Sequence, residues 1–161
     1  MPSQFAIMHR FFAFLLAVLL STGCANLPAT TVGDFIQYHQ VRTAKPYDDV
    51  LAELKVAIAE HNFRITSHSR VGKVIRQRGT ADFPDYDTIQ FCNLSHAKTL
   101  IELSVDAVRH MPCSVVLYNT GKETTIKTRL LPVHTDNPEL NRFSESINRM
   151  LRDIVDFAAD I

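Results

Sequence analysis

The chain has 161 residues, of which 46% are hydrophobic and 21% charged. This length and apolar content are ample for the core of one domain. Lys and Arg number 17, as do Asp and Glu, so the formal net charge at pH 7 is +0. A chain without excess positive charge has no general field for holding nucleic acid, so we expect no partner of that class.

The first 23 residues have the pattern of a secretory signal peptide. Arg10 supplies the positive start, residues 11–20 are apolar, and the small residues Ser-Thr-Gly follow at 21–23. An apolar run of this length is too short to span a bilayer. An ordinary secreted precursor and a single membrane-anchor helix would begin in a similar way, and both stay open as alternatives.

Residues 21–24, Ser-Thr-Gly-Cys, resemble the lipobox of bacterial lipoproteins, although Ser21 stands where leucine is more usual. In that family the signal is cut before the cysteine, which then carries lipid, so the resemblance implies that Cys24 is the lipid attachment site. Ala25 follows instead of aspartate, which implies sorting to the outer membrane, facing the periplasm. We therefore expect an envelope protein held on the membrane by its lipid, with residues 24–33 as lipidated cysteine and linker.

The rest of the chain, residues 34–161, is expected to form a single domain. Its first segment, residues 34–42, alternates without a purely apolar side, which predicts a strand near a sheet edge. Residues 46–63 then repeat apolar side chains at helical spacing and begin with two aspartates, where the helix dipole favours anions. This helix should end near Asn62, because asparagine tolerates the left-handed conformation of a helix end.

A basic segment follows the first helix. Residues 63–69 and 72–79 predict two strands that turn near 69–72. Between Glu60 and Asp82 the sequence has no acid and carries the positive charges of Arg64, Arg70, Lys73, Arg76 and Arg78. Such a surface could bind anionic lipid headgroups or an acidic ligand, or it could simply be the solvated face of a hairpin.

The second half predicts three further strands and a long helix. Residues 88–93 form a short strand, and residues 114–119 and 123–130 form a hairpin in which Val115 and Leu117 face Ile126 and Thr128. Asp136 or Asn137 offers a cap for the last helix, before a proline in its first turn. Its apolar stripe should pack across the sheet and comprises Leu140, Phe143, Ile147, Met150, Leu151, Ile154, Phe157 and Ala158.

This order of elements indicates an α+β domain with helices on one face of an antiparallel sheet. The sequences AEHNF at 59–63, FCNL at 91–94, HMP at 110–112 and SVVLY at 114–118 resemble, in order and spacing, the domain of unknown function 302 family. The resemblance implies a curved β-α-β(4)-α sheet, similar to the TATA-box-binding-protein-like arrangement, with a helical insert between strands. It implies no activity. Cys92 and Leu94 replace a glycine and a proline of the family's Phe-Gly-Asn-Pro pattern, which puts any binding there in doubt.

The segment from 92 to 113 holds the candidate ligand or redox residues: Cys92, Asn93, His96, His110 and Cys113. Their spacing suits pairs of soft ligands for zinc or copper. One continuous helix over 95–109 would hold the two histidines ~21 Å apart and the two cysteines beyond disulfide reach, at opposite ends of neighbouring strands.

Two short helices that fold back would reopen both options, and the family's frequent proline near 104–105 suggests such a break. We favour a scaffold with free thiols over a disulfide or a metal or haem site. Asn93 and Ser95 have a simpler role, because either can cap the helix that follows. A nucleophilic Cys92 with His96 as its base is a further alternative.

No catalytic motif stands out elsewhere. The chain lacks a Gly-x-Ser-x-Gly elbow, a phosphate loop and a His-Glu-x-x-His pair. Asp82, Asp85 and Asp87 could bind a cation, but a turn with solvated aspartates is the commoner meaning.

We therefore predict a non-catalytic module, without cofactor or resident metal, that binds a small ligand or a partner protein. A metal- or redox-active protein using the residues of 92–113 is the alternative. A dry cleft lined by the insert and the last helix would favour binding.

Overall fold

The computed structural model describes residues 36–161, and the predicted signal peptide, Cys24 and linker lie outside the described residues. The elements run β1 (Tyr38–Thr43), α1 (Tyr47–Glu60), β2 (Arg64–Ser69), α2 (Val71–Gln77), β3 (Tyr86–Cys92), α3 (Leu94–Leu103), a 3₁₀ helix (Val105–His110), β4 (Cys113–Asn119), β5 (Thr124–Arg129) and α4 (Pro138–Ala159). None of the helices in this part of the chain is long and apolar enough to cross a membrane.

The five described strands form one antiparallel sheet in the order β1-β5-β4-β3-β2. The first strand is an edge strand, as its mixed alternation predicts. Helices α1 and α4 contact each other and lie on the same face of the sheet. The α+β class with an antiparallel sheet and helices on one face is therefore confirmed.

The core lies between this helical layer and the sheet, and strand alternation decides which residues enter it. In β3, Ile89 and Phe91 are buried, whereas Thr88, Gln90 and Cys92 are only half-buried. The hairpin register pairs Val115 with Thr128 and Leu117 with Ile126, as predicted. Each fully buried aliphatic or aromatic side chain contributes ~1.5–3 kcal/mol relative to an exposed one.

The ends of the two long helices follow their sequence signals. Asn62 has a φ of 59°, the left-handed conformation expected after α1. The side chain of Asn137 accepts hydrogen bonds from the backbone N–H groups of Glu139 and Leu140, and Pro138 opens the first turn of α4. Asn137 is thus the N-cap of α4.

The predicted strand over residues 72–79 is wrong, because Val71–Gln77 is the helix α2. The main reason is tertiary. A Cβ on Gly72 would lie 2.4 Å from the carbonyl oxygen of Pro84, so the helix packs against backbone at that point. Arg76 then donates to the carbonyl oxygen of Phe83 at 2.7 Å. A segment of two turns is too short for its periodicity to distinguish a helix from a strand.

The buried face of α4 differs from the predicted stripe at one end. Phe157 is 48% exposed, whereas Val155 is fully buried. Polar Ser144 and Asn148 are also buried on this face. The side chain of Asn148 accepts from the N–H of Leu131 at 2.8 Å and donates to its C=O at 2.9 Å. A buried amide can replace an apolar residue here because it satisfies both backbone groups of the neighbouring loop.

Candidate functional site

The insert between β3 and β4, Leu94–His110, is broken into two short helices. Ser104 separates them and has extended backbone angles, with φ −162° and ψ 120°. The separation expected for one continuous helix therefore does not apply. Of the two predicted arrangements, the structure contains the one with two helices.

A small cavity at the end of β3 collects the side chains predicted as ligands, and we call it the thiol cavity. It offers about 20 Å³, room for little more than one water molecule. Its walls include all the residues of that prediction, namely Cys92, Asn93, His96, His110 and Cys113. The fold brings them together, but around a space too small for an organic ligand.

The two cysteines of the thiol cavity are free. Antiparallel pairing places Phe91 opposite Cys113, so Cys92 and Cys113 lie at the same end of neighbouring strands, not at opposite ends. Alternation along β3 turns Cys92 away from the face that Phe91 occupies, and Cys113 shares the face of Phe91. Both cysteines line the cavity, yet they are not joined by a disulfide.

His96 and Asn93 of this cavity have structural partners. The ring of His96 packs between Phe63 and Phe143, with centroid distances of 5.8 and 6.0 Å. The side chain of Asn93 accepts from the N–H groups of Ser95 and His96 and donates to the carbonyl oxygen of Asn62. The predicted capping role of Asn93 is therefore confirmed, and its amide is committed to holding α3.

Burial raises the pKa of the Cys113 thiol to about 11, and the nearby Cys92 adds to this shift. A neutral thiol is a weak nucleophile and a poor metal ligand at physiological pH. Within residues 36–161, no three or more His, Cys, Asp or Glu side chains are grouped so that they could hold a metal ion. The geometry therefore indicates that the side chains around the thiol cavity serve to pack the fold.

The aspartates predicted as a possible cation site, Asp82, Asp85 and Asp87, lie before and at the start of β3 and do not come together. Asp85 pairs with Arg76 at 2.5 Å, and Asp87 is buried on the helical side of the sheet, where it lies 2.8 Å from His68. Asp82 is exposed. Each carboxylate with a partner is held in a different place, so these residues form no common cation site.

A larger opening, the insert cleft, lies between the insert, the loop at 131–137 and the start of α4. It has a volume of about 270 Å³. Its apolar walls are Leu100, Leu103, Ala107, Leu131, Pro132 and Leu140. Its polar groups are Ser104, Asp106, Arg109, His110, Thr135, Asp136, Asn137 and Ser144. Ser104, where the two helices of the insert separate, is one of the lining residues.

Hydrogen bonds fix the walls of the insert cleft. The amide of Asn137 donates to the carbonyl oxygen of Leu103 at 3.1 Å, which joins the insert to the cap of α4. The side chain of Asn141 accepts from the N–H of Thr135 at 2.9 Å and donates to the carbonyl oxygen of Thr135 at 2.8 Å. The loop is therefore held at both of its ends before any ligand arrives, and a preformed site loses less entropy on binding.

The charges that line the insert cleft are of both signs, because Arg109 lies among its lining residues together with Asp106 and Asp136. Of the residues predicted as site residues, only His110 lines this cleft. The others escaped prediction because Asp136-Asn137-Pro138 has the pattern of a helix cap and Ser104 to Asp106 has no motif. The sequence offers only a weak signal for this cleft, namely the polar residue Ser104 inside an otherwise helical segment.

Comparisons with known proteins identify the fold without adding an activity. The chain matches the family described as Domain of unknown function DUF302 over residues 39–158. Among solved structures it resembles an uncharacterized conserved DUF302 protein from Bacillus stearothermophilus, with a TM-score of 0.66 and 16% sequence identity. The match covers 75% of this chain and 97% of that one, so at this identity it shows the fold alone. No curated protein matches the chain.

Proposed function

We propose that this chain, which belongs to the Domain of unknown function DUF302 family, is a lipid-anchored envelope protein that binds a small molecule without catalysis. The family description assigns no activity, so the proposal rests on the geometry of the insert cleft and on the N-terminal sequence. The single observation that carries the binding role is the cleft itself, a preformed opening between the insert and α4.

The size and lining of the cleft indicate the class of ligand. Its volume of about 270 Å³ is just below the ~300–1,000 Å³ of pockets that enclose drug-sized molecules. Its lining combines six apolar side chains with eight polar or charged ones, a mixture that suits an amphipathic molecule. Arg109, Asp106 and Asp136 line the cleft together, so it carries an excess of one negative charge, which disfavours an anionic ligand.

A fluorescent probe can test the cleft. N-phenyl-1-naphthylamine is apolar and uncharged, so residues 25–161 should bind it saturably with increased fluorescence. Those residues include the compact unit Phe35–Ile161, and the solved relative is almost wholly this fold. The substitution Asp106→Phe should fill the mouth of the cleft and lower the affinity about tenfold or more.

Glu102→Phe is the matched control, because it makes the same chemical change four residues away on α3, where the side chain is exposed and does not line the cleft. It should leave the affinity within about twofold of the unsubstituted protein, since it removes no contact in the cleft. Equal losses in the two variants, or no saturable binding at all, would contradict a ligand site in the cleft.

The anchor needs a separate test on the full chain. Growth of a Gram-negative host with radiolabelled palmitate should label the protein and place it in the outer-membrane fraction. Cys24→Ser should abolish both the label and the membrane association. Label that persists in this variant, or an unlabelled parent chain, would contradict lipid attachment at Cys24 while leaving the cleft proposal intact.

A further inference from the structure

The face of the sheet opposite α1 and α4 has a strong charge asymmetry, and we call it the open sheet face. Strand alternation assigns its residues, because the neighbours of buried Val41, Ile126 and Leu117 point the other way. Its basic side chains are Arg42, Arg64 and Lys127, while the guanidinium of Arg129 at the end of β5 donates to the carbonyl oxygen of Arg109 at 3.2 Å. None of the outward-facing positions of the described strands is Asp or Glu. In a chain with a net charge of +0, this face is locally positive.

The register connects these basic residues into one surface. Gln40 pairs with Lys127, and Lys127 pairs with Val116 on the next strand. Arg42 pairs with Thr125, which in turn lies opposite Tyr118. With neighbouring strands ~4.8 Å apart, the five strands span ~19 Å. A partner that binds here therefore meets positive charge along an extended surface and not at a single point.

Tyrosines accompany the basic residues. The rings of Tyr86 and Tyr118 stack with a centroid distance of 5.8 Å and an interplanar angle of 21°. The ammonium group of Lys127 lies 4.1 Å from the ring centroid of Tyr38. Tyr38 and Tyr86 are 50% and 38% exposed. These rings present amphipathic edges with hydroxyl groups, which suit a partner that is partly polar.

The remaining outward-facing positions are mostly hydroxyl and amide side chains, among them Gln40, Thr88, Gln90 and Ser114. Val116 is the one aliphatic residue among the outward-facing positions of the described strands, and it is half-buried. Protein interfaces have an apolar centre, and membrane-surface elements insert large apolar side chains. The open sheet face has no aliphatic centre, and its large rings are tyrosines that carry hydroxyl groups, so its chemistry suits a partner that is hydrophilic as well as anionic.

We infer that the open sheet face binds an acidic polysaccharide. Carboxylate groups along such a polymer match the spaced Arg and Lys side chains, and its hydroxyl groups match the Ser, Thr and Gln side chains between them. Nucleic acid fits less well, because domains that hold it are usually strongly basic and this chain has a sequence pI of about 7.1. One face of the Tyr38 ring is also occupied by Lys127, which leaves less room for base stacking.

The inference is independent of the insert cleft and is tested on residues 25–161 with an oligogalacturonate as probe. Binding should be measurable at low salt, should weaken as salt rises, and should be absent for an uncharged maltooligosaccharide. The double substitution Arg42→Gln with Lys127→Gln should raise the Kd about tenfold. Gln40→Glu should also weaken binding, because it places a carboxylate beside Lys127 in the register.

The matched control is Arg142→Gln with Arg149→Gln, which removes the same charge from exposed positions on α4. Its Kd should stay within about twofold of the parent value, as expected for screened, distant charges. The inference is overturned by absent binding at low salt or by equal losses in the two double variants. It is also overturned if poly-glutamate or an oligothymidylate binds more tightly than the oligogalacturonate.

Discussion

The two faces of the sheet differ although they alternate along the same strands. The face toward α1 and α4 buries aliphatic and aromatic side chains, and its polar groups have internal partners, as Asp87 does in His68. The open sheet face carries arginine, lysine, tyrosine and hydroxyl side chains. Because neighbouring residues point to opposite sides, one strand can contribute stability with every second residue and leave the others available for recognition.

The sharpest test of this contrast uses two adjacent residues of β4. Leu117 is 1% exposed on the helical side, so Leu117→Ala should lower the free energy of unfolding by about 2–5 kcal/mol through lost burial and a cavity. Val116 is half-buried on the open side, and Val116→Ala should cost about 1 kcal/mol or less. Urea unfolding followed by circular dichroism measures both. Equal losses would mean that the open side also contributes to the core.

A second test compares two aspartates of one segment. The Asp87 side chain is 7% exposed and lies 2.8 Å from His68, whereas the Asp85 side chain is 44% exposed and pairs with Arg76. Asp87→Ala should cost about 1–3 kcal/mol, because it leaves the half-buried imidazole without its partner. Asp85→Ala should cost less than about 1 kcal/mol, as exposed ion pairs do.

A double-mutant cycle separates the Asp87–His68 interaction from other effects of the substitutions. If the two side chains stabilise each other, the loss in the double variant Asp87→Ala with His68→Ala should be smaller than the sum of the single losses. Simple additivity would contradict a direct coupling across the 2.8 Å contact.

The helical side should also make stability sensitive to alkaline pH. Burial raises the pKa of Cys113 to about 11 from an ordinary 9.0, so the fold prefers the protonated thiol. The contribution of this thiol to the free energy of unfolding is complete below about pH 9. It is lost as the pH rises toward 11, and the loss is about 2 kcal/mol. Burial raises the pKa of Tyr47 as well, with the charge of Asp87 adding to it, so the loss continues above the ordinary tyrosine value.

Urea unfolding at a series of pH values measures this loss, and Cys113→Ala should reduce it between pH 9 and 11. Cys92→Ala is the control, because it keeps the buried thiol of Cys113 and removes only the smaller contribution of Cys92 to the raised pKa, so the alkaline loss should fall less than in Cys113→Ala. An equal reduction in both variants would contradict the assignment to Cys113.

Much of the fold could be predicted because local chemistry and the final structure agree. Alternation of Val115 and Leu117 sets the hairpin register, and asparagines at 62 and 137 mark helix ends by their own conformational and hydrogen-bonding preferences. Short family motifs placed the insert and led to the DUF302 family, which the match over residues 39–158 confirms. Such signals are readable because each depends on a few neighbouring residues.

What could not be predicted depends on contacts between distant segments. Gly72 lies against the backbone at Pro84, and this contact accompanies a helix where the sequence predicts a strand. The insert cleft is assembled from Ser104, Asp136 and their neighbours, which have no shared motif. The open sheet face becomes visible only after the register has placed Arg42 and Lys127 on neighbouring strands.

The smallest expected change in stability concerns the open sheet face. Arg42→Gln with Lys127→Gln should alter the free energy of unfolding by about 1 kcal/mol or less, chiefly through the lost contact of Lys127 with Tyr38. The same variant should bind oligogalacturonate about tenfold more weakly, whereas Val116→Ala keeps the charges of the face and should bind almost unchanged. A large loss of stability in the charge variant would assign Arg42 and Lys127 to the scaffold. The combination of weak binding and unchanged stability is therefore what distinguishes a recognition surface from a second core.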